Sequence, residues 1–140
     1  MIVGWQLATH LRTDLVLDAL EMANGLRRPR PGLIAHTDRG SQYTSLRYTD
    51  RLDELRIAPS VGARGDAYDN AMAEAWVATF KSELVDGRRF PSYEHAEHEI
   101  LSWISFYNGA RLHEELADLP PAEYEQLNIN KGNTPMVSAT

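Results

Sequence analysis

Apolar positions along the chain change their spacing several times, and each change marks an element. Ile2-Val3-Gly4-Trp5-Gln6 opens without a turn or cap ahead of it and predicts a short strand. Leu15, Ala19, Met22 and Leu26 then recur at helical spacing behind Thr13, a capping residue type, with Asn24-Gly25 as the expected stop before an Arg/Pro-rich loop over 27–31. Leu33-Ile34-Ala35 is a compact apolar run, read as a buried strand that delivers His36-Thr37-Asp38-Arg39-Gly40-Ser41 to its C-terminal end. Tyr48, Leu52 and Leu55 share one face of a helix over about 45–56, and Ile57 to Val61 returns as a strand whose Pro59 confines it to an edge or an end. Residues 62–67 carry two glycines and no apolar period, which reads as a loop.

Two longer helices follow. From Asp69 to about Leu84, a turn of 100° per residue puts Met72, Trp76, Phe80 and Leu84 on an apolar arc, with Asn70, Glu74 and Lys81 together on another face. Ser92 behind Pro91 caps a helix bearing Ala96, Ile100, Trp103, Ile104 and Tyr107 on one stripe, and Asn108-Gly109 closes it. Leu119-Pro120-Pro121 begins a last short element. The early alternation of strand, helix, strand, helix, strand predicts an α/β layered fold, in which loops at strand ends hold the sites. The 140 residues fit one domain, with 1–126 as its body and 127–140 as a flexible tail.

Composition narrows the chemistry. With 43% apolar and 24% charged residues and no long apolar run, the chain reads as a globular protein without a membrane span. Its start lacks the features of a secretory leader, so the expected location is the cytoplasm. Zero cysteines exclude thiolate metal sites and cysteine nucleophiles, which leaves oxygen and imidazole as metal donors. A net charge of −6 argues against binding DNA by overall charge, so any positive surface must be local. Arginines do cluster, at Arg27, Arg28 and Arg30, and again at Arg88 and Arg89, while the C-terminal third is acidic.

Two carboxylates stand out by position: Asp38 just past a strand and Glu74 on the polar face of a helix. Either residue alone reads as surface. Their neighbours change that reading. His36-Thr37-Asp38-Arg39-Gly40-Ser41-Gln42-Tyr43 and Asp69-Asn70-Ala71-Met72-Ala73-Glu74 resemble the paired motifs of insertion-sequence transposases with a retroviral-integrase-like core, and the thirty-five residues between Asp38 and Glu74 match that family's spacing. Tyr107-Asn108-Gly109-Ala110-Arg111-Leu112-His113 resembles a third motif, with Pro121 and Tyr124 where a tail motif is expected, so the likeness spans roughly residues 2–125.

The resemblance implies a ribonuclease-H-like integrase core, a three-layer mixed sheet with flanking helices, here truncated at its N-terminus. It also implies a third carboxylate, an aspartate on a strand ahead of Ile2. Asp38 and Glu74 would be the catalytic metal ligands, holding Mg²⁺ or Mn²⁺, as two ions in the complete enzyme, for cleavage of a phosphodiester and attack by a DNA 3′-hydroxyl. Arg39 and Arg64 are phosphate candidates, Asn70 a partner for a metal water or phosphate, and Lys81 a point charge for the DNA backbone. His36 is either a supporting partner of Asp38 or a packed strand-end histidine, and Gln42 and Arg111 belong to the motifs as DNA-binding or supporting residues. The implied partners are transposon-end and target DNA and further copies of the chain in a synaptic complex, with nucleoid association in action.

Two other functions fit the same residues. One is an inactive, truncated transposase acting as a DNA-binding, assembly or regulatory module, which the missing aspartate favours. The other is a ribonuclease-H-type nuclease that cleaves without joining, which the Tyr107 to His113 motif disfavours. His95 and His98 have no third ligand nearby in sequence and read as solvated, and Trp5, Trp76 and Trp103 read as core.

Overall fold

A computed structural model describes residues 1–38, 40–61 and 71–130. The elements are α1 (Thr13–Arg27), β1 (Ile34–Thr37), α2 (Leu46–Glu54), β2 (Ala58–Val61), α3 (Ala71–Phe80) running into a π-helical turn (Lys81–Val85), α4 (Tyr93–Gly109), a 3₁₀ turn (Glu114–Leu116) and α5 (Pro121–Asn130). They form two compact units, one built from residues 3–77 and the other from residues 1–2 with 78–130.

In the first unit β1 and β2 pair in parallel, with Ala35 opposite Pro59 and His36 opposite Ser60. Parallel strands need a crossover, and α2 supplies it. The Ala58 N–H donates to the Leu33 carbonyl at 2.8 Å. Successive N–H groups of a strand point to opposite sides, so the donor that Pro59 lacks would face away from β1, the arrangement that tolerates proline. Ala35 turns inward to join Leu20 of α1, Tyr48 and Leu52 of α2 and Ile57, with Val16, Leu17, Leu33, Tyr43 and Leu55 around them. Its neighbour Ile34 points to the opposite face and is 45% exposed. Arg51 of α2 reaches Glu21 of α1 and Glu54 of its own helix, but these exposed pairs contribute little beside the buried cluster.

Four local expectations are corrected here. No strand forms over 2–6, although Val3 is buried: Gly4 lies so close to α1 that a Cβ would overlap the Ala19 carbonyl oxygen and meet the Ala23 Cβ at 2.9 Å. A strand is defined by the ladder it joins, and the two-stranded sheet of the described residues takes its partners elsewhere. Thr13 is the first helical residue of α1 and not its cap; Arg12 occupies the cap without a side-chain bond, and its carbonyl accepts from the Leu15 N–H. Asn24-Gly25 does not stop α1, which runs to Arg27 and closes on a left-handed Arg28. Met72, which the wheel puts on the apolar arc, is 75% exposed, and from Lys81 the helix widens to π geometry, with the Asp86 N–H donating to the Lys81 carbonyl. A widened turn departs from 100° per residue, yet Leu84, which the wheel also puts on the apolar arc, is buried.

The second unit follows its pattern more closely. Ser92 caps α4 by accepting from the His95 N–H at 3.1 Å, and Trp103 and Ile104 are buried with Leu84. Phe80 meets the Trp103 ring edge-on at 5.1 Å. α5 continues to Asn130, past residue 126, and 131–140 lie outside the described residues.

Candidate active site

Asp38 is exposed and stands immediately after β1. Its Oδ1 accepts a hydrogen bond from the Gly40 N–H at 2.7 Å, closing a two-residue turn around the carboxylate. A Cβ on Gly40 would approach Asp38 Oδ1 to 2.9 Å and Gln42 Oε1 to 3.2 Å, so the carboxylate occupies the space that only glycine leaves. The Gln42 side-chain amide then donates to the Leu11 carbonyl at 3.0 Å, tying the loop to the segment before α1. Tyr43 and Thr44 both return N–H groups to the Gly40 carbonyl. Tyr43 also sets its ring edge-on to the buried Tyr48 at 5.4 Å, and Ser45 caps α2. Asp38 and residues 40–45 are thus anchored together, with the acid at the open end and the core at the other. Burial and the Asp38 carboxylate raise the Tyr43 phenol above its ordinary value, while burial chiefly pushes Tyr48 up to about 12.

The remaining candidates stand on other elements. His36 is half-buried on the strand leading to Asp38, and its Nδ1 is enclosed with no hydrogen-bond partner among the described residues. Glu74 is exposed in the first turn of α3, where a carboxylate complements the helix dipole. Lys81 is exposed at the start of the π turn. Arg39, Arg64 and Asn70 lie outside the described residues.

The third motif builds a different kind of cluster. The Asn108 side chain accepts from the Ile2 N–H and donates to the Ile2 carbonyl, both at 2.8 Å, which occupies the backbone groups a strand ladder would have used. Arg111 donates from Nε and Nη2 to Glu83 Oε1 at 3.0 and 2.9 Å, and the Trp103 indole N–H donates to Glu83 Oε2 at 3.1 Å. Arg111 also lies over the Tyr107 ring at 5.7 Å, and His113 meets that ring edge-on at 4.8 Å. Sequence reasoning missed Glu83, the centre of this cluster. Its partners lie 20 and 28 residues away, beyond any helical or strand period.

Comparison with known proteins decides what these motifs belong to. Two family models, both described as integrase core domain, match residues 1–67 and 55–121. The transposase for insertion sequence element IS629 of Shigella sonnei is 44% identical over 125 residues, covering 89% of this chain and 42% of that protein. The chain belongs to the insertion-sequence transposases with an integrase core. A putative transposase for IS986/IS6110 of Mycobacterium tuberculosis is also 44% identical, over 89% of this chain and 47% of its own length, and the transposase for IS904 of Lactococcus lactis is 40% identical over 91% and 51%. The chain therefore spans about half the length of the curated relatives it matches. No helix among the described residues is long and apolar enough to cross a membrane.

For a transposase core, the donor set can be tested against a divalent ion. Asp38 and Glu74 offer carboxylate oxygens, the donors that hard cations such as Mg²⁺ take. Their chemistry fits. Their number is short of a full site, because among the described residues no group of three or more acidic or imidazole side chains comes together to hold a metal.

The motif cluster around Glu83 carries a pH dependence. Burial first, and then the Arg111 guanidinium and the chain's amino terminus, hold His113 below its ordinary value of 6.5; Glu83 and a backbone bond oppose them. A histidine kept neutral by the fold contributes stability above its unfolded value and loses it as the pH falls through the lowered folded value. Glu83 is held below 4.5, mainly by its bonds from Arg111, and its contribution is lost in turn as the pH falls through its own depressed value. Thermal denaturation is expected to show stability falling first over the range below about pH 6.5 and again below about pH 4.5. His113→Gln should flatten the first step and leave the second. Stability that rises on acidification below 6.5 would contradict this assignment.

Proposed function

We propose that residues 1–140 supply two metal-holding carboxylates, Asp38 and Glu74, to the catalytic core of an insertion-sequence transposase that cleaves DNA and transfers strands. The observation that carries this reading is Asp38 at the C-terminal end of a parallel strand, with one oxygen fixed by the Gly40 N–H and the loop anchored through Gln42 and Tyr43. Loops at that end of parallel strands are where α/β folds place chemistry. The two strands and their crossover helix form part of a three-layer, ribonuclease-H-like arrangement. Asp38 and Glu74, with a third carboxylate, would hold Mg²⁺ or Mn²⁺, and a bound ion would supply charge neutralisation at the attacked phosphate. The chain's own residues position: Gly40 makes room for the carboxylate, Gln42 fixes the loop, and Lys81, Arg39 and Arg64 meet DNA phosphates. Transposon-end and target DNA are the partners, and copies of the chain assemble on them. Arg111 acts as a supporting residue, because its guanidinium is already engaged by Glu83.

A second reading is favoured by the lack of a three-ligand group among the described residues. On this reading residues 1–140 alone act as a non-catalytic DNA-binding or assembly module. One experiment separates the readings: the chain is joined to the part of the Shigella sonnei relative that it does not cover and assayed with Mg²⁺ on transposon-end DNA. Joined product supports the transposase reading, cleavage without joining a nuclease, and binding without cleavage the module.

A further inference from the structure

Both helices beside the β1–β2 pair end on an arginine held in the left-handed backbone region, Arg28 after α1 at φ 44° and Arg56 after α2 at φ 56°. Glycine is the usual residue at such a position, because a side chain there strains the backbone. The Arg28 N–H donates to the Asn24 carbonyl at 2.8 Å and the Arg56 N–H to the Asp53 carbonyl at 3.0 Å. Gly32 donates to the Arg56 carbonyl at 3.2 Å, which ties the 28–32 loop to the end of α2. Strands β1 and β2 are parallel and begin just beyond, at Ile34 and Ala58. The arginines therefore stand at the end of the sheet opposite Asp38. Arg30 lies between Pro29 and Pro31, whose rings fix the backbone that presents it.

Arg28, Arg30 and Arg56 are exposed. Among the described residues none of the three pairs with a carboxylate, whereas Arg47, Arg51, Arg88 and Arg111 each do. Glu54, the acid nearest to Arg56 in sequence, is taken by Arg51, and Asp53 beside it is exposed. We propose that Arg28, Arg30 and Arg56 form a second anion-binding surface that takes the phosphate backbone of duplex DNA without reading its sequence. The inference rests on the reading of DNA as this chain's partner. Guanidinium groups grip phosphate with two parallel bonds, and contacts to phosphate position a duplex without selecting bases. Strained backbone persists where the strained residue serves a function, which accounts for arginine at two positions where glycine would be easier.

The test measures binding of a fluorescently labelled duplex of arbitrary sequence to the 140-residue chain, from about 50 to 200 mM salt. The variant Arg28→Gly, Arg30→Gln, Arg56→Gly is expected to weaken binding about tenfold or more at the low end, and to make the dependence of log affinity on log salt shallower by about 2–3. Its Tm should rise by about 4 °C, because glycine relieves both left-handed positions. Lysine at all three positions should keep most of the salt dependence. Unchanged affinity and slope in the first variant, with the parent binding the duplex, overturns this inference alone. Lost binding together with a lower Tm also overturns it, since the arginines then serve the fold. A parent chain that binds no duplex at the lowest salt removes the DNA reading itself.

Discussion

On the proposed transposase reading, Asp38→Asn is expected to reduce strand joining about a thousandfold in the fusion with the Shigella sonnei relative. The substitution keeps the side chain's size and leaves an oxygen able to accept from the Gly40 N–H, so the turn at 38–40 should survive. What it removes is a formal charge and one hard donor. Charge stabilisation by a correctly held divalent ion is worth several kcal/mol in the transition state, and at about 1.4 kcal/mol per decade that amounts to roughly three orders of magnitude. Joined and cleaved products, followed in time at saturating Mg²⁺, provide the measurement. DNA affinity should change little, because Asp38 contributes no positive charge to the phosphate contacts. Joining within tenfold of the parent would remove Asp38 from the metal set and leave its carboxylate as a structural turn.

Leu52→Ala should destabilise the first unit by about 2–5 kcal/mol, the range for large-to-small changes at fully enclosed aliphatic sites. Leu52 is 1% exposed and packs in the cluster of Leu20, Ala35, Tyr48 and Ile57. The partners come from a strand, two helices and the lead into β2, so the vacated space cannot close by moving one of them. The loss also reaches the site, since Tyr48 supports Tyr43 and Tyr43 ends the loop that begins at Asp38. Urea denaturation checks it: the midpoint should fall with little change in slope. A loss below about 1 kcal/mol would mean that the cluster collapses around alanine and does not hold the unit together.

How much of this was legible in the chain follows from the range over which each feature is specified. Asp38, Gly40, Gln42 and Tyr43 were readable as one motif because the loop's bonds are mostly local: Asp38 meets an N–H two residues on, and Tyr43 and Thr44 return to Gly40. The cap at Ser92 is local in the same way, accepting from the residue three positions later. Thr13 shows the limit of that reasoning, since a capping residue type was present and the helix began on it instead. Nothing local distinguishes the two outcomes; the path of the chain into α1 does.

The amino-acid sequence by itself determined the family, through its motif residues and the thirty-five residues between Asp38 and Glu74, and the order of helices and strands from α1 to α5, through residue type and periods of two to four residues. Tertiary structure alone decided which partners the motif residues take. Ile2 gives its backbone groups to an asparagine 106 residues away, so the segment predicted as a strand carries no ladder. Arg111, read as a DNA-binding or supporting residue, is engaged by Glu83, 28 residues before it. Met72, apolar and on the expected arc, stays in solvent. The physical reason is common to all three: a hydrogen bond, an ion pair or a buried face needs a second surface. Spacing along the chain says which residues face together, but only the folded chain supplies what they face.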